Sequence, residues 1–285
     1  MKHAFNIEDY EFGYTPYEIQ RLINQAKILQ PITDRLLTEA GIRTGMQVLE
    51  IGCGAGDLTR LIANRVGPSG HVTAVDVSSE AIRVARSRLY EDEGKHITFV
   101  QADADTFSDD QRFDALIGRY VLMHQPDPAR TLRHLSGFLK PNGIVAFHEL
   151  GLDGDYCSTP SVPLWEKLGM WIDKTFRLVA PSYNLGRQFA KVFAEVGLLE
   201  PHIFGEQLIG CGKSTPLIPW TVSTMHILLP AAIRYSIVDE YEVDIATLQA
   251  RLAKEISATD GQILAPLQFC AWAKVPPVDS FRLGC

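Results

Sequence analysis

"VLEIGCGAGDLTRLIA", residues 48–63, decides the fold. Val48 to Ile51 is a short apolar run that reads as a strand. Gly52, Gly54 and Gly56 follow at alternate positions, and "DLTRLIANRV" then repeats with a helical period. A strand that turns through glycines into a helix is the first unit of an α/β parallel sheet. Glycines there let backbone come close to a ligand. Alone, the pattern also suits a tight strand-to-helix turn with no ligand.

Working outward, strands and helices alternate. "HVTAVDV" (71–77), "HITFVQAD" (96–103), "FDALIGR" (113–119) and "IVAFHEL" (144–150) read as strands. "SSEAIRVARSRLYEDE" (78–93) is a helix opened by serines and closed by Gly94. "DPARTLRHLSGFL" (127–139) is a helix with Asp127 as N-cap and Pro128 at the first helical position, followed by a "KPNG" turn. Continuous apolar strands separated by helices indicate a parallel sheet covered on both faces. Upstream, Leu22, Ile23, Ala26, Leu29, Ile32, Leu36 and Leu37 have helical spacing, and Pro31 predicts a kink or a break. After Leu150 the rhythm changes: 164–178, 187–198 and most of 216–258 are helical, with strands at 200–210 and 262–275. The expected fold is therefore α/β, a Rossmann-like, seven-stranded, mostly parallel sheet flanked by helices. Residues 1–43 form an N-terminal helical lid, 44–150 the core, and 151–285 cap helices and the remaining strands.

The bulk properties narrow the function. The 285 residues carry a net charge of −7 and no Lys/Arg run longer than two, a poor match to phosphate backbones. The five cysteines are odd in number and form no C-x-x-C, which argues against a disulfide framework or a zinc site. No apolar run approaches membrane-spanning length and the N-terminus lacks a signal-peptide core. The expectation is a cytoplasmic protein with no metal, no nucleic acid and no membrane partner. A homodimer is compatible with the sequence, which leaves the oligomeric state open.

The dinucleotide fingerprint G-x-G-x-x-G fails, because its last position is Asp57. Instead, Glu50 ends the strand and gives E-x-G-x-G-x-G, which resembles motif I of the class I S-adenosylmethionine (SAM) dependent methyltransferases. Asp76 ends the second strand, twenty residues after Gly56, and Asp103 follows the third. "FDALIGRYVLMHQPDP" and "LKPNGIVAFHE" resemble the family's fourth and fifth strands. The resemblance is strong over residues 44–150. It implies that Glu50 and the backbone around Gly52, Cys53 and Gly54 hold the methionine end of SAM. Asp76 would hold the ribose, Val77 would pack on the adenine, and Asp103 and Ala104 would meet its edge. Arg119 would lie beside the methionine moiety. "GYTPYEIQRLINQ" could fold over the cofactor with Tyr14, Tyr17 and Gln25 facing inward.

Methyl transfer needs alignment, dryness and sometimes a base. His148, ending the fifth strand, or His124, beyond the fourth, is the candidate base. Glu149, on the opposite face from His148, is a pocket residue. Trp165, Trp171, Phe176 and Trp220 make an aromatic cap suited to a flat or apolar substrate. The nucleic-acid signatures of related enzymes are missing: "GRYV" (118–121) stands where adenine N-methyltransferases carry [DN]-P-P-[YF]. The resemblance is to small-molecule methyltransferases, with a SAM-binding rearrangement or cyclisation enzyme, or a non-catalytic factor, as the other readings. A second "IGCG", residues 209–212, echoes a phosphate loop. Gln207 stands where its first glycine should be, so it reads as a loop into the cap.

Overall fold

The computed structural model describes residues 15–89 and 93–276. Helix α1 (Pro16–Glu39) opens on Thr15, whose hydroxyl accepts the Glu18 N–H at 3.2 Å. Leu29, Ile32, Leu36 and Leu37 are sealed on one face. The helix runs through Pro31 as one element, so of the two expected outcomes the break into two helices does not occur. Pro31 faces solvent, where water can meet the carbonyl it leaves unpaired, and the buried stripe on both sides holds the helix together.

The core follows as β1 (Gln47–Ile51), α2 (Asp57–Val66), β2 (His71–Asp76), α3 (Ser79–Ser87), β3 (Ile97–Gln101), β4 (Phe113–Arg119), α4 (Pro128–Ser136) and β5 (Leu139–Gly151). The caps predicted for two helices are present: Ser78 Oγ accepts from Ala81 N–H and Asp127 Oδ1 from Arg130 N–H. Helix α3 stops at Ser87, earlier than the expected residue 93. The KPNG segment is carried inside β5 as an irregularity, with Asn142 at φ +63° and a register shift between Phe113 and Ala115.

The remainder is β6 (Cys157–Thr159), α5 (Pro163–Val179), α6 (Phe189–Glu195), β7 (His202–Cys211), α7 (Leu217–Arg234), α8 (Glu240–Val243), α9 (Ile245–Thr259) and β8 (Gln262–Lys274). The sheet has eight strands in the order β3-β2-β1-β4-β5-β8-β6, with β7 also on β8. Strands β1 to β5 pair in parallel and β8 runs antiparallel to β5. The strand missing from the sequence reading is β6, three residues too short to show a period. Registers of β5 and β7 overlap along β8, so they flank it on opposite sides, and β6 extends the β5 side.

Strand order reverses between β1 and β4. Their carboxyl ends therefore splay apart and leave the crevice where ligands bind in such sheets. Two apolar clusters cover the two faces of the sheet; α1 contributes Leu29 to one and Ile32, Leu36 and Leu37 to the other. Among the described residues no helix is long and apolar enough to cross a membrane.

Candidate functional site

A cavity of about 210 Å³ lies over this crevice. Its floor is the turn after β1. Gly52, Gly54 and Gly56 all have positive φ (+71°, +51° and +84°), a region that L side chains seldom occupy. A Cβ at Gly52 would lie 2.3 Å from Val121 Cγ2, whereas one at Gly54 would meet nothing within 4 Å. The turn is thus packed on one side and open toward the cavity on the other. Gly52→Ala is expected to lower the melting temperature by several degrees. Left-handed strain of about 1–2 kcal/mol adds to the Val121 clash. Thermal unfolding equal to wild type would refute this.

Asp76 locks the turn. Its Oδ2 accepts Gly54 N–H at 2.8 Å and its Oδ1 accepts Ser78 N–H at 2.9 Å. The carboxylate is 6% exposed and lines the cavity. Asp103 lines it from the end of β3, with Oδ1 accepting Asp105 N–H at 2.7 Å. Val77 and Ala104 are the apolar wall between these two acids, and Cys53 and Arg119 line the same space.

Glu50 lies behind the floor, fully buried, and neither carboxyl oxygen has a hydrogen-bond partner. Burial pushes its pKa up to about 8; the nearby Thr59 hydroxyl, which falls short of hydrogen-bond geometry, and the Arg119 charge oppose this. A buried acid without a partner is costly unless a cation or donor meets it. Burial likewise pulls the Arg119 guanidinium down, and its Nη1 donates to Thr33 Oγ1 of α1 at 3.2 Å.

The roof comes from the lid and the cap: Arg21, Leu22 and Gln25 of α1, Phe176 of α5, and Trp220, Thr224 and Ile227 of α7. Gln25 Oε1 accepts from Arg21 Nη1 at 2.8 Å and from Trp220 Nε1 at 3.2 Å, which ties lid to cap. Tyr17 does not face inward; it is 45% exposed and its ring lies against His226. Tyr14 lies outside the described residues. Trp165 and Trp171 belong to the apolar core, leaving Phe176 and Trp220 as the expected aromatics that reach the cavity.

The three candidates for proton transfer separate. His124 lines the cavity, and burial, helped by the nearby Arg21 charge, lowers its pKa to about 4, so it is neutral at pH 7. His148 does not reach the cavity. It is fully buried, with Nδ1 at 2.9 Å from Thr33 Oγ1 and Nε2 at 3.2 Å from Gln268 Oε1, and burial lowers its pKa to about 3. Gln268 also accepts the Tyr120 hydroxyl, so the imidazole and Gln268 together tie α1, β5, β8 and the turn after β4. Glu149 is also withdrawn from the cavity. Its Oε1 accepts Val121 and Leu122 N–H at 2.9 and 2.8 Å and shapes the turn leading to His124, while burial pushes its pKa up to about 8.

Arg21, Asp57, Tyr120 and Tyr156 line the cavity without having been singled out by sequence. Arg21 had a signal: it lies four residues before Gln25, on the same helix face. Asp57 is held in a two-pronged pair with Arg88 at 2.7 and 2.8 Å. The second "IGCG" is the end of β7 and the turn into α7. A Cβ at Gly210 would lie 2.2 Å from Thr215 Oγ1, so that glycine serves packing, away from the cavity.

Residues 42–174 match the family model described as a methyltransferase domain. The chain is 30% identical over 167 residues to the demethylmenaquinone methyltransferase of Lactococcus lactis, covering 58% of this chain and 62% of that one. It is 38% identical over 156 residues to the ubiquinone/menaquinone biosynthesis C-methyltransferase UbiE of Pseudomonas savastanoi, covering 51% and 61%. The match thus spans less than two thirds of these relatives' length. A solved structure of a Bacillus halodurans protein shares the fold, with TM-score 0.56 and 17% identity over 85% of this chain and 97% of that one. Residues 42–174 thus resemble a methyltransferase domain in sequence, and the chain shares its fold with that solved structure.

Proposed function

We propose that this chain is a SAM-dependent methyltransferase acting on a flat, apolar small molecule. One observation carries the reading. Glu50, Asp76 and Asp103 stand at or just beyond the carboxyl ends of three adjacent parallel strands, around a glycine turn open to one cavity. An orphaned buried acid suits an ammonium group, a braced carboxylate suits two ribose hydroxyls, and the space beside Val77 and Ala104 suits a planar base. When bound, SAM supplies an activated sulfonium methyl. The chain's own part is to orient, to exclude water through Leu22, Phe176, Trp220 and Ile227, and to place His124, uncharged, where it can hold a proton. In this reading residues 1–43 act as lid, 44–150 as cofactor core and 151–285 as acceptor cap.

The names of the two relatives support a quinone-like acceptor and carbon as the accepting atom. The test is incubation with SAM carrying a labelled methyl group and demethylmenaquinone as probe. Label appearing in the organic phase, and lost with unlabelled competitor, is the expected result. A protein that binds SAM and converts an acceptor without taking up label would overturn the methyl-transfer assignment.

A further inference from the structure

Arg21 is a buried cation whose function the cavity floor does not explain. Its Nε and Nη2 each donate to a Glu18 carboxylate oxygen at 2.6 Å, and its Nη1 donates to Gln25. Arg21 is 8% exposed and Glu18 fully buried. A buried ion pair is seldom a gain in stability over apolar side chains of the same size. This one occupies the first turns of a helix, where an apolar stripe would serve the packing equally well.

Its orientation supplies the reason. Arg21 lines the cavity and Glu18 does not. Its Nη1 meets Gln25, another lining residue, so that end of the guanidinium is turned toward the ligand space and the counter-charge away from it. Among the described residues the other cation lining the cavity is Arg119, which already lies in the field of Asp57 and Glu50. The floor is acidic, with Asp57, Asp76 and Asp103 all lining it. An anionic group entering this cavity finds its complement in the roof. The guanidinium is also fixed before a ligand arrives, because Gln25 holds it and is itself held by the Trp220 indole.

We infer that Arg21, clamped by Glu18 and Gln25, is an oxyanion-binding subsite in the roof of the cavity. This rests on the proposed cofactor reading and extends it to the ligand's negative group. That group is either the amino-acid carboxylate of the cofactor or an ionised oxygen on the acceptor, since both present the same chemistry to a guanidinium.

Calorimetry on the full chain separates the sources with two matched pairs of probes. The first pair is S-adenosylhomocysteine and its decarboxylated analogue. The second is 2-hydroxy-1,4-naphthoquinone, an anion at neutral pH, and 1,4-naphthoquinone, its neutral counterpart. Arg21→Met is expected to weaken the anionic member of one pair by about 10–100-fold, while its uncharged partner keeps its affinity. The pair that responds names the source, and Arg21→Lys should recover part of the loss. Equal changes within both pairs, or none, would overturn the subsite. Should Arg21→Met not fold, because it strands Glu18, the double variant Glu18→Gln/Arg21→Gln removes both charges and is read by the same criterion. Absence of S-adenosylhomocysteine binding in the wild type would instead count against the cofactor reading, with the naphthoquinone pair still testing Arg21.

Discussion

Asp76→Ala is expected to weaken SAM binding by about 100-fold or more, the effect of two lost charge-assisted hydrogen bonds. The carboxylate does two things at once. Its oxygens hold the backbone N–H groups of Gly54 and Ser78, so it fixes both the glycine turn and the start of α3. It also lines the cavity at the end of β2, where the ribose would lie. Alanine leaves two N–H groups unmet, at about 1–3 kcal/mol each, and lets the turn relax. Asp76→Asn separates these roles. Its single carbonyl can keep one backbone bond, so it should retain more stability than alanine while still losing affinity. Calorimetric titration of both variants, beside their thermal unfolding, gives the comparison. Unaltered affinity in the alanine variant would remove the ribose assignment.

The sheet was legible because buried parallel strands leave continuous apolar runs. "VLEI", "TAVDV" and "IVAFHEL" have little else they can be, and the glycines between them locate the crevice. Strand β6 was not legible, since three residues carry no period. Pro31 does not divide α1, because the buried stripe on both sides of it holds the helix as one element. The site divides in the same way. Residues that follow strand ends, Asp76, Asp103 and the Gly52–Gly54 turn, are placed by local sequence and line one cavity. His148 and His124 could not be ranked from sequence. Their difference comes from long-range partners: Thr33 and Gln268 close off the imidazole of His148, 115 and 120 residues away in the chain. Glu149 was placed on the correct strand with the wrong task, because the N–H groups it accepts become its neighbours only when β4 pairs with β5.

Glu50→Gln is expected to make the free protein more stable at about pH 8 and yet weaken SAM binding by about 10–100-fold. The carboxyl is sealed and unpartnered, and burial holds its pKa near 8 against an ordinary 4.5. The folded chain therefore keeps this proton more tightly than the unfolded chain does. Its contribution to stability is full below about 4.5 and is lost as pH rises through about 8. Glutamine abolishes that share of the slope, while Glu149, raised in the same direction, keeps its own. Binding reverses the balance. An ammonium group facing Glu50 favours the ionised carboxylate, so complex formation near pH 7 should release a proton. Affinity should rise with pH until the ligand's own amine, with a usual value of about 8, begins to lose its charge. Calorimetry in buffers of different ionisation enthalpy measures the released proton directly. The glutamine variant should release none at this site and should bind with a flatter pH profile. If it binds SAM as tightly as wild type across that range, Glu50 is a buried structural acid and the ammonium must be held by another group.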